Sequence, residues 1–216
     1  MKLNVIYEDN HIIVVEKPAG VPTQADISGD VDMYTLVGEY IREKYNKPGN
    51  VFVGIVHRLD RPVGGIMVFA RTSKGASRLS EQIRNRSFKK TYKAMVYGLL
   101  EKKKGTLENY LLKDESKNKS FVVPNGTKNS KLAILEYEVI SENKADNTSV
   151  VKVELHTGRH HQIRLQFANI GHPLIGDSKY GKDKGVSDIR LWSYQLRFKH
   201  PTRDEEMEFK LEPKWD

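Results

Sequence analysis

The chain alternates short apolar runs with polar turns, a pattern typical of β-strands that bury one or both faces. Two β-branched runs at residues 5–7 and 12–15 flank a polar turn and predict the first pair of strands. Similar runs predict further strands at residues 52–56, 66–70, 94–97, 106–112, 131–140, 150–155, 191–198 and 208–211.

Apolar residues at helical spacing predict three helices. The first covers residues 35–45, and the second follows Ser73, which is a suitable N-cap residue. The third lies within residues 156–171 and ends at Gly171. Residues 113–130 are rich in Lys, Asn and Ser and predict a basic loop or arm. A β-ribbon is the alternative there, because Phe121 begins a short apolar run that can pair with a strand.

The predicted elements are mostly strands, with few helices between them. This order favours an α+β fold with a mixed, mostly antiparallel central β-sheet flanked by helices. A length of 216 residues suits a single domain spanning residues 1–216. No linker of low complexity and no internal repeat interrupts the pattern.

Charge adds a first indication of the partner. The chain has 36 Lys and Arg against 28 Asp and Glu, a net charge of +8, which favours a polyanion. A solvated basic surface is the alternative, and charge alone does not decide between them. Cysteine is absent, so there is no disulfide framework. The N-terminus lacks a signal-peptide apolar region and no run is long enough for a bilayer, so we expect a cytoplasmic protein without a membrane partner.

One carboxylate stands out between two predicted strands. An apolar run ends at His57, a second begins at Ile66, and Asp60 lies between them with Arg58 and Arg61 close by in sequence. Nearby positive charge favours the ionised form of a carboxylate. Such a group can act as a nucleophile or a base, or can stabilise a cationic transition state. The alternative is a structural ion pair on a connecting loop.

Two other segments carry candidate chemistry. Tyr92 follows Lys89 and Lys90, so its phenol can stack on a base or relay a proton, although an apolar ring with a solvated hydroxyl is the commoner case. Further along, Arg159 and Arg164 lie near a predicted helix start, where anions bind favourably. Histidines in that segment suggest a metal, but no thiolate or carboxylate completes a set of ligands, and we expect no metal.

The segment His57-Arg58-Leu59-Asp60, followed by Gly65, resembles the central motif of pseudouridine synthases of the RluA-type branch. Four more segments match motifs of that branch in the same order, at residues 16–22, 90–98, 157–164 and 171–181. The sequence departs from the pattern at Val63-Gly64, where Thr-Ser is common, and at His160, where Thr or Ser is commoner.

The resemblance implies the pseudouridine synthase fold with a catalytic cleft, and isomerisation of uridine to pseudouridine in RNA without a cofactor. It implies that Asp60 is the catalytic aspartate, Tyr92 the active-site tyrosine and Arg164 the arginine paired with Asp60. The presence of one well-placed carboxylate agrees with isomerisation, since glycoside hydrolysis usually uses two. The residues expected to contact RNA are Arg58, Arg61, Lys89, Lys90, Arg159, His161 and Gln162.

The resemblance also implies an RNA partner, either 23S-type ribosomal RNA or a transfer RNA stem-loop, and a monomer. The N-terminal RNA-binding domain of many relatives is expected to be missing, because the catalytic pattern begins at once. A non-catalytic RNA-binding protein on the same fold is the main alternative. A metal-dependent nuclease or hydrolase is a third hypothesis, based on the histidines.

Overall fold

The structure, a computed structural model, describes residues 1–181 and 188–215. The chain divides into two compact units. The first unit comprises Met1–Lys90 and Ser193–Lys214, and the second comprises mainly Thr91–Trp192. The glycine-punctuated loop that the sequence predicts at residues 176–185 lies partly outside the described residues.

The elements up to residue 84 are β1 (Asn4–Glu8), β2 (Ile12–Lys17), α1 (Met33–Lys44), β3 (Gly54–Ile55), β4 (Gly64–Ala70) and α2 (Ser73–Arg84). Those from residue 89 onward are β5 (Lys89–Tyr97), β6 (Lys104–Asp114), β7 (Lys119–Val123), β8 (Lys131–Asn143), β9 (Thr148–Leu155), α3 (Gln162–Asn169), β10 (Leu191–Lys199) and β11 (Glu206–Lys210). No helix among these is long and apolar enough to cross a membrane.

The first unit is built on a sheet with the strand order β1-β2-β4-β10-β11, and β3 pairs with β4. Residues from Ile12 to Val15 in β2 have no exposed surface, which explains their uninterrupted apolar run. Strands β2 and β4 contribute Ile12, Val14, Ile66 and Val68 to one hydrophobic core, where α2 adds Leu79. The rings of Phe88 and Phe198 stack in this core with centroids 4.9 Å apart.

Both helices of the first unit begin at a side-chain cap. The Asp32 carboxylate accepts the backbone N–H of Thr35 at the start of α1. At α2 the predicted cap was wrong by one residue, because Thr72 rather than Ser73 accepts the N–H of Gly75. Thr72 has the extended backbone that an N-cap needs, whereas Ser73 is already helical.

The strand predicted at residues 52–56 is shorter than expected. Only Gly54–Ile55 pairs with β4. Beyond Ile55 the acceptor for β4 is a side chain and not a backbone carbonyl, since the N–H of Val68 donates to Nε2 of His57 at 3.1 Å. The chain is thereby free to leave the sheet at His57 and form the loop that carries Asp60.

The second unit is built on an antiparallel sheet with the order β5-β9-β8-β6-β7. The basic segment after residue 113 forms the β-ribbon alternative, because β7 pairs with β6 and Phe121 lies opposite Leu112. Helix α3 places Leu165 in a small core with Leu111 and Ala133. Sheets of this kind with few helices confirm the predicted α+β class.

Gly65 is a position where only glycine fits. It has φ +121°, and an added Cβ would lie 2.3 Å from the carbonyl oxygen of Ser193. We expect Gly65→Ala to lower the free energy of unfolding by roughly 2–4 kcal/mol, from backbone strain and overpacking combined. Urea denaturation measures the change.

Gly38 supplies the matched control. It lies inside α1, where an added Cβ makes only ordinary contacts, 3.8 Å from Cγ2 of Val53. Gly38→Ala is therefore expected to raise the free energy of unfolding by about 0.5–1 kcal/mol. A Gly65→Ala protein as stable as Gly38→Ala would contradict the steric account.

Candidate active site

Asp60 lies on the loop between β3 and β4, where neighbouring side chains differ in their exposure to solvent. Arg58 is exposed, Leu59 is buried and Asp60 is half-buried. The N–H of Val63 donates to the Asp60 carbonyl at 3.0 Å, which closes a tight turn around Pro62. Leu59 therefore anchors the loop in the core while its two neighbours face outward.

A separate segment, residues 17–23, holds this loop through its backbone. The Thr23 hydroxyl donates to the Leu59 carbonyl at 3.0 Å and accepts the Leu59 N–H at 3.2 Å. The Arg61 carbonyl accepts the Gly20 N–H at 2.9 Å and the Lys17 ammonium at 3.0 Å. The residues on both sides of Asp60 are thus fixed, and we call residues 17–23 the cradle.

Lys17 is the most unusual member of the cradle, because its side chain has no exposed surface. Its ammonium also donates to the Pro18 carbonyl at 2.9 Å. Burial lowers the pKa of Lys17 to about 7, although the negative charge of Asp60 acts in the opposite direction. Sequence reasoning missed this residue, despite its place in the 16–22 motif.

Arg61 faces a different partner from the one expected. Its guanidinium forms ion pairs with Asp26 and Asp30, and it donates to the Ser28 hydroxyl at 3.0 Å. Its Nε also donates to the Gly20 carbonyl at 3.1 Å. Arg61 therefore ties the cradle to the exposed loop that follows it.

His57 fixes the start of the Asp60 loop. Because Nε2 accepts the Val68 N–H, the ring proton of the neutral form lies on Nδ1. Burial lowers the pKa of His57 to about 3, and the charge of Lys90 acts in the same direction. His57 is consequently neutral across the physiological range and works as a structural acceptor.

In the second unit, Arg164 lies on the first turn of α3 and is buried. Its Nε and one terminal nitrogen donate to the two carboxylate oxygens of Asp177, at 2.8 and 2.7 Å. Asp177 has no exposed surface and also accepts the N–H groups of Lys179 and Tyr180. Burial alone would raise the pKa of Asp177, but the Arg164 hydrogen bonds and charge hold it below its ordinary value.

A tyrosine supports the same helix start. The Tyr180 hydroxyl accepts the Ser120 N–H at 2.7 Å and forms a second hydrogen bond with Nδ1 of His161 at 2.9 Å. The Tyr180 ring lies against the Arg164 guanidinium, 5.5 Å from the ring centroid. Burial, followed by the charge of Arg164, lowers the pKa of His161 to about 2. His161 is therefore a neutral residue of the helix start.

The remaining residues predicted to contact RNA differ in exposure. His161 and Gln162 are 7% and 3% exposed, and Gln162 accepts from the Thr157 hydroxyl and the Arg159 N–H. Nε of Arg159 donates to the Leu132 carbonyl at 2.8 Å. Lys89 and Lys90 are half-buried, and burial lowers the pKa of Lys90.

The three residues expected to be catalytic lie on different elements. Asp60 is on the β3–β4 loop of the first unit, whereas Tyr92 on β5 and Arg164 on α3 belong to the second. Tyr92 is 6% exposed and lies opposite Val153 of β9. In the described part of the chain, no group of three His, Cys, Asp or Glu side chains is placed to hold a metal.

A family model and related sequences all match this chain to the same protein family. A model described as RNA pseudouridylate synthase matches residues 11–169. A protein of Aquifex aeolicus named as an uncharacterized RNA pseudouridine synthase is 36% identical, over 97% of this chain and 69% of its own length. The dual-specificity RNA pseudouridine synthase RluA of Yersinia pestis is 34% identical, over 96% of this chain and 98% of its own.

A solved structure supports the fold independently. The human RNA pseudouridylate synthase domain containing 4 matches with a TM-score of 0.81, covering 98% of this chain and 89% of that one. Its sequence is only 20% identical, so this likeness concerns the fold.

The Arg164–Asp177 pair gives a direct test of the second unit. Asp177→Asn keeps the side-chain shape but removes the buried negative charge that lies 2.7 Å from the Arg164 guanidinium. We expect the free energy of unfolding to fall by about 3–5 kcal/mol, as for other buried pairs from which one partner is removed. Urea denaturation measures it, with Asp146→Asn on an exposed turn as the control, expected within about 0.5 kcal/mol of the parent. Equal losses of stability in the two variants would contradict a buried ion pair.

Proposed function

The chain belongs to the RluA-type branch of the RNA pseudouridylate synthase family, and from that premise we propose that Asp60 is the carboxylate on which its isomerisation of uridine to pseudouridine depends. The observation that carries the proposal is the cradle, which fixes the backbone of Leu59 and Arg61 on either side of Asp60. A group on backbone that is already ordered need not lose that freedom when substrate binds.

The reaction separates the base from the sugar and rejoins them through another atom. The bond from uracil N1 to C1′ of the ribose breaks, which leaves positive character on the sugar. An ionised Asp60 stabilises that charge or bonds to the sugar. The base turns, C5 bonds to C1′, C5 loses its proton and N1 gains one, so no atom is lost overall. No oxidant, reductant or cofactor is required by this balance.

We assign the two partners of Asp60 by resemblance. The resemblance assigns Arg164 the role of orienting the Asp60 carboxylate. Asp177 suits that role, because its two carboxylate oxygens accept from Nε and one terminal nitrogen of Arg164 and so fix the plane of the guanidinium. Tyr92 stacks on the uracil or helps to remove the C5 proton, and both roles suit a largely buried phenol.

A uridine in a stem must leave the base stack before it can react. Flipping costs a few kcal/mol, less in a loop or at a mismatch. Arg58, which is exposed immediately before the anchored Leu59, is proposed to fill the vacated space. The backbone of the neighbouring Leu59 is held by hydrogen bonds, so the Arg58 side chain projects from an ordered backbone.

The substrate class that we propose is a stem-loop of ribosomal or transfer RNA. The basic β6–β7 ribbon offers Lys113, Lys117 and Lys119 for phosphate binding, and Lys89 and Lys90 add charge at the start of β5. We also infer a monomer that works in the cytoplasm, where these RNAs are found.

Four of the residues expected to contact RNA have contacts within the protein that suit a role in shaping the site. Arg61 is engaged by Asp26 and Asp30, while Gln162 bonds within the segment that precedes α3. His161 is buried, and Arg159 donates to a backbone carbonyl. We propose that these four residues shape the site and that RNA is bound mainly by the exposed cations.

Asp60→Asn tests the proposed role of the carboxylate. The change removes the charge but keeps the shape, so we expect pseudouridine formation to fall at least about 10³-fold, with the fold and the RNA affinity nearly unchanged. The assay incubates the protein with cellular RNA that lacks pseudouridine and maps the product by site. Asp146→Asn is the control and should remain active.

Two results would contradict the proposal in different ways. Retained turnover in Asp60→Asn would show that another group is catalytic. No new pseudouridine with the parent protein on any RNA would favour a non-catalytic RNA-binding protein on the same fold.

RNA binding should weaken steeply as salt rises, because each phosphate that the protein neutralises releases counterions. Changing Lys117 and Lys119 together to Gln should reduce the slope of log K against log salt by about 0.7 for each phosphate that the variant no longer binds. Lys199→Gln with Lys210→Gln is the control, since it removes the same charge from β10 and β11 of the first unit and leaves the ribbon intact. An unchanged slope in the ribbon variant would place the phosphate-binding residues elsewhere.

A further inference from the structure

Lys17 occupies a position where a lysine is unexpected. Lysine is almost never fully buried unless it is paired, yet the whole of this residue is inaccessible to solvent at the end of β2. A buried ammonium is stripped of its hydration, and that penalty must be offset by hydrogen bonds and by negative charge. The contacts of Lys17 show where both come from.

Both hydrogen-bond acceptors of Lys17 are carbonyls of the active-site loops. One is the Pro18 carbonyl at 2.9 Å, and the other is the Arg61 carbonyl at 3.0 Å. These carbonyls carry no net charge. The negative charge that favours the ammonium comes from Asp60, while the positive charge of Arg61 opposes it.

The fold alone does not require an ammonium at this place. The Arg61 carbonyl already accepts the N–H of Gly20 at 2.9 Å, so it would keep a donor if Lys17 were absent. An apolar side chain of similar length would fill the same volume without the penalty of a buried charge. What only lysine adds is a fixed positive charge beside the residue that follows Asp60.

We propose that Lys17 is a positioning residue, whose ammonium holds the Arg61 carbonyl and whose buried positive charge attracts the carboxylate of Asp60. Coulombic attraction is mutual, so an Asp60 anion that stabilises the Lys17 cation is stabilised by it to the same extent. The role in catalysis rests on the proposed function of Asp60, whereas the electrostatic coupling between the two residues does not.

A double-mutant cycle measures that coupling without any RNA. The free energy of unfolding is compared for the parent, Lys17→Met, Asp60→Asn and the double variant. If Lys17 acts through its charge, Lys17→Met is expected to destabilise the Asp60→Asn protein less than it destabilises the parent. If the Lys17 side chain only packs and bonds to carbonyls, Lys17→Met would lower the free energy of unfolding by the same amount in the parent and in Asp60→Asn. Thr23→Val, which removes two neutral hydrogen bonds from the same cradle, is the control and should show no coupling to Asp60→Asn.

A second measurement covers the case in which Lys17→Met does not fold. The side-chain amine of Lys17 is titrated by NMR in the parent and in Asp60→Asn, with no substitution at Lys17 itself. The pKa of Lys17 is expected to fall when the Asp60 charge is removed. An unchanged pKa, or equal destabilisation by Lys17→Met in both backgrounds, would overturn the proposal.

Kinetics separate this inference from the proposed function. For a folded Lys17→Met protein we expect kcat to fall at least about tenfold while KM stays within about twofold, because the substrate does not touch Lys17. An active Asp60→Asn protein that still shows the coupling would refute the catalytic role of Asp60 alone. An inactive Asp60→Asn protein without the coupling would refute the role of Lys17 alone.

Discussion

The hydrogen bonds between the cradle and the Asp60 loop are the constraint on which the rest of the site depends. The cradle lies more than 30 residues before the loop in sequence, yet it satisfies the backbone of Leu59 on both sides and the carbonyl of Arg61 twice. Asp60 is therefore presented from a backbone whose conformation is set before RNA arrives. The sheet of the first unit makes this possible, since β2 and β4 pair directly and bring the ends of the two segments together.

The second unit also contains a buried ionic group that holds a charged neighbour, but with the signs exchanged. In the first unit the cation Lys17 lies next to the loop of the carboxylate Asp60, whereas here the carboxylate Asp177 fixes the plane of the Arg164 guanidinium. Backbone N–H groups and the Tyr180 ring hold the pair in place. In both units a buried ionic group restricts the geometry of a neighbour. Such groups contribute little net stability, because desolvation offsets much of the attraction, but they favour one arrangement over others.

Much of the fold followed from local patterns in the sequence. The continuous run in β2 and the helical spacing in α1 identified those elements, and the apolar run at Phe121 offered the ribbon as the alternative to a loop, because each pattern lies within a few residues. The failures arose where tertiary contacts decide. A His57 side chain that replaces a backbone acceptor shortened β3, and no propensity distinguishes Thr72 from Ser73 as a cap. Asp60, Tyr92 and Arg164 were predicted by resemblance, whereas the contacts of Lys17 and Asp177 were not foreseen because their partners lie 44 and 13 residues away. The burial of His161 and Gln162 was not foreseen either, since sequence does not reveal which side chains turn inward.

In the proposed reaction a single constrained carboxylate supports an isomerisation in which the base never leaves the protein. RNA labelled with tritium at C5 of uridine distinguishes this reaction from hydrolysis when release of tritium into water, formation of pseudouridine and appearance of free uracil are followed together. Isomerisation releases one tritium into water for each pseudouridine formed, with no free uracil and no abasic sites in the RNA. Free uracil that still carries its tritium, with abasic sites in the RNA and no release of tritium into water, would show hydrolysis and would contradict the proposed reaction.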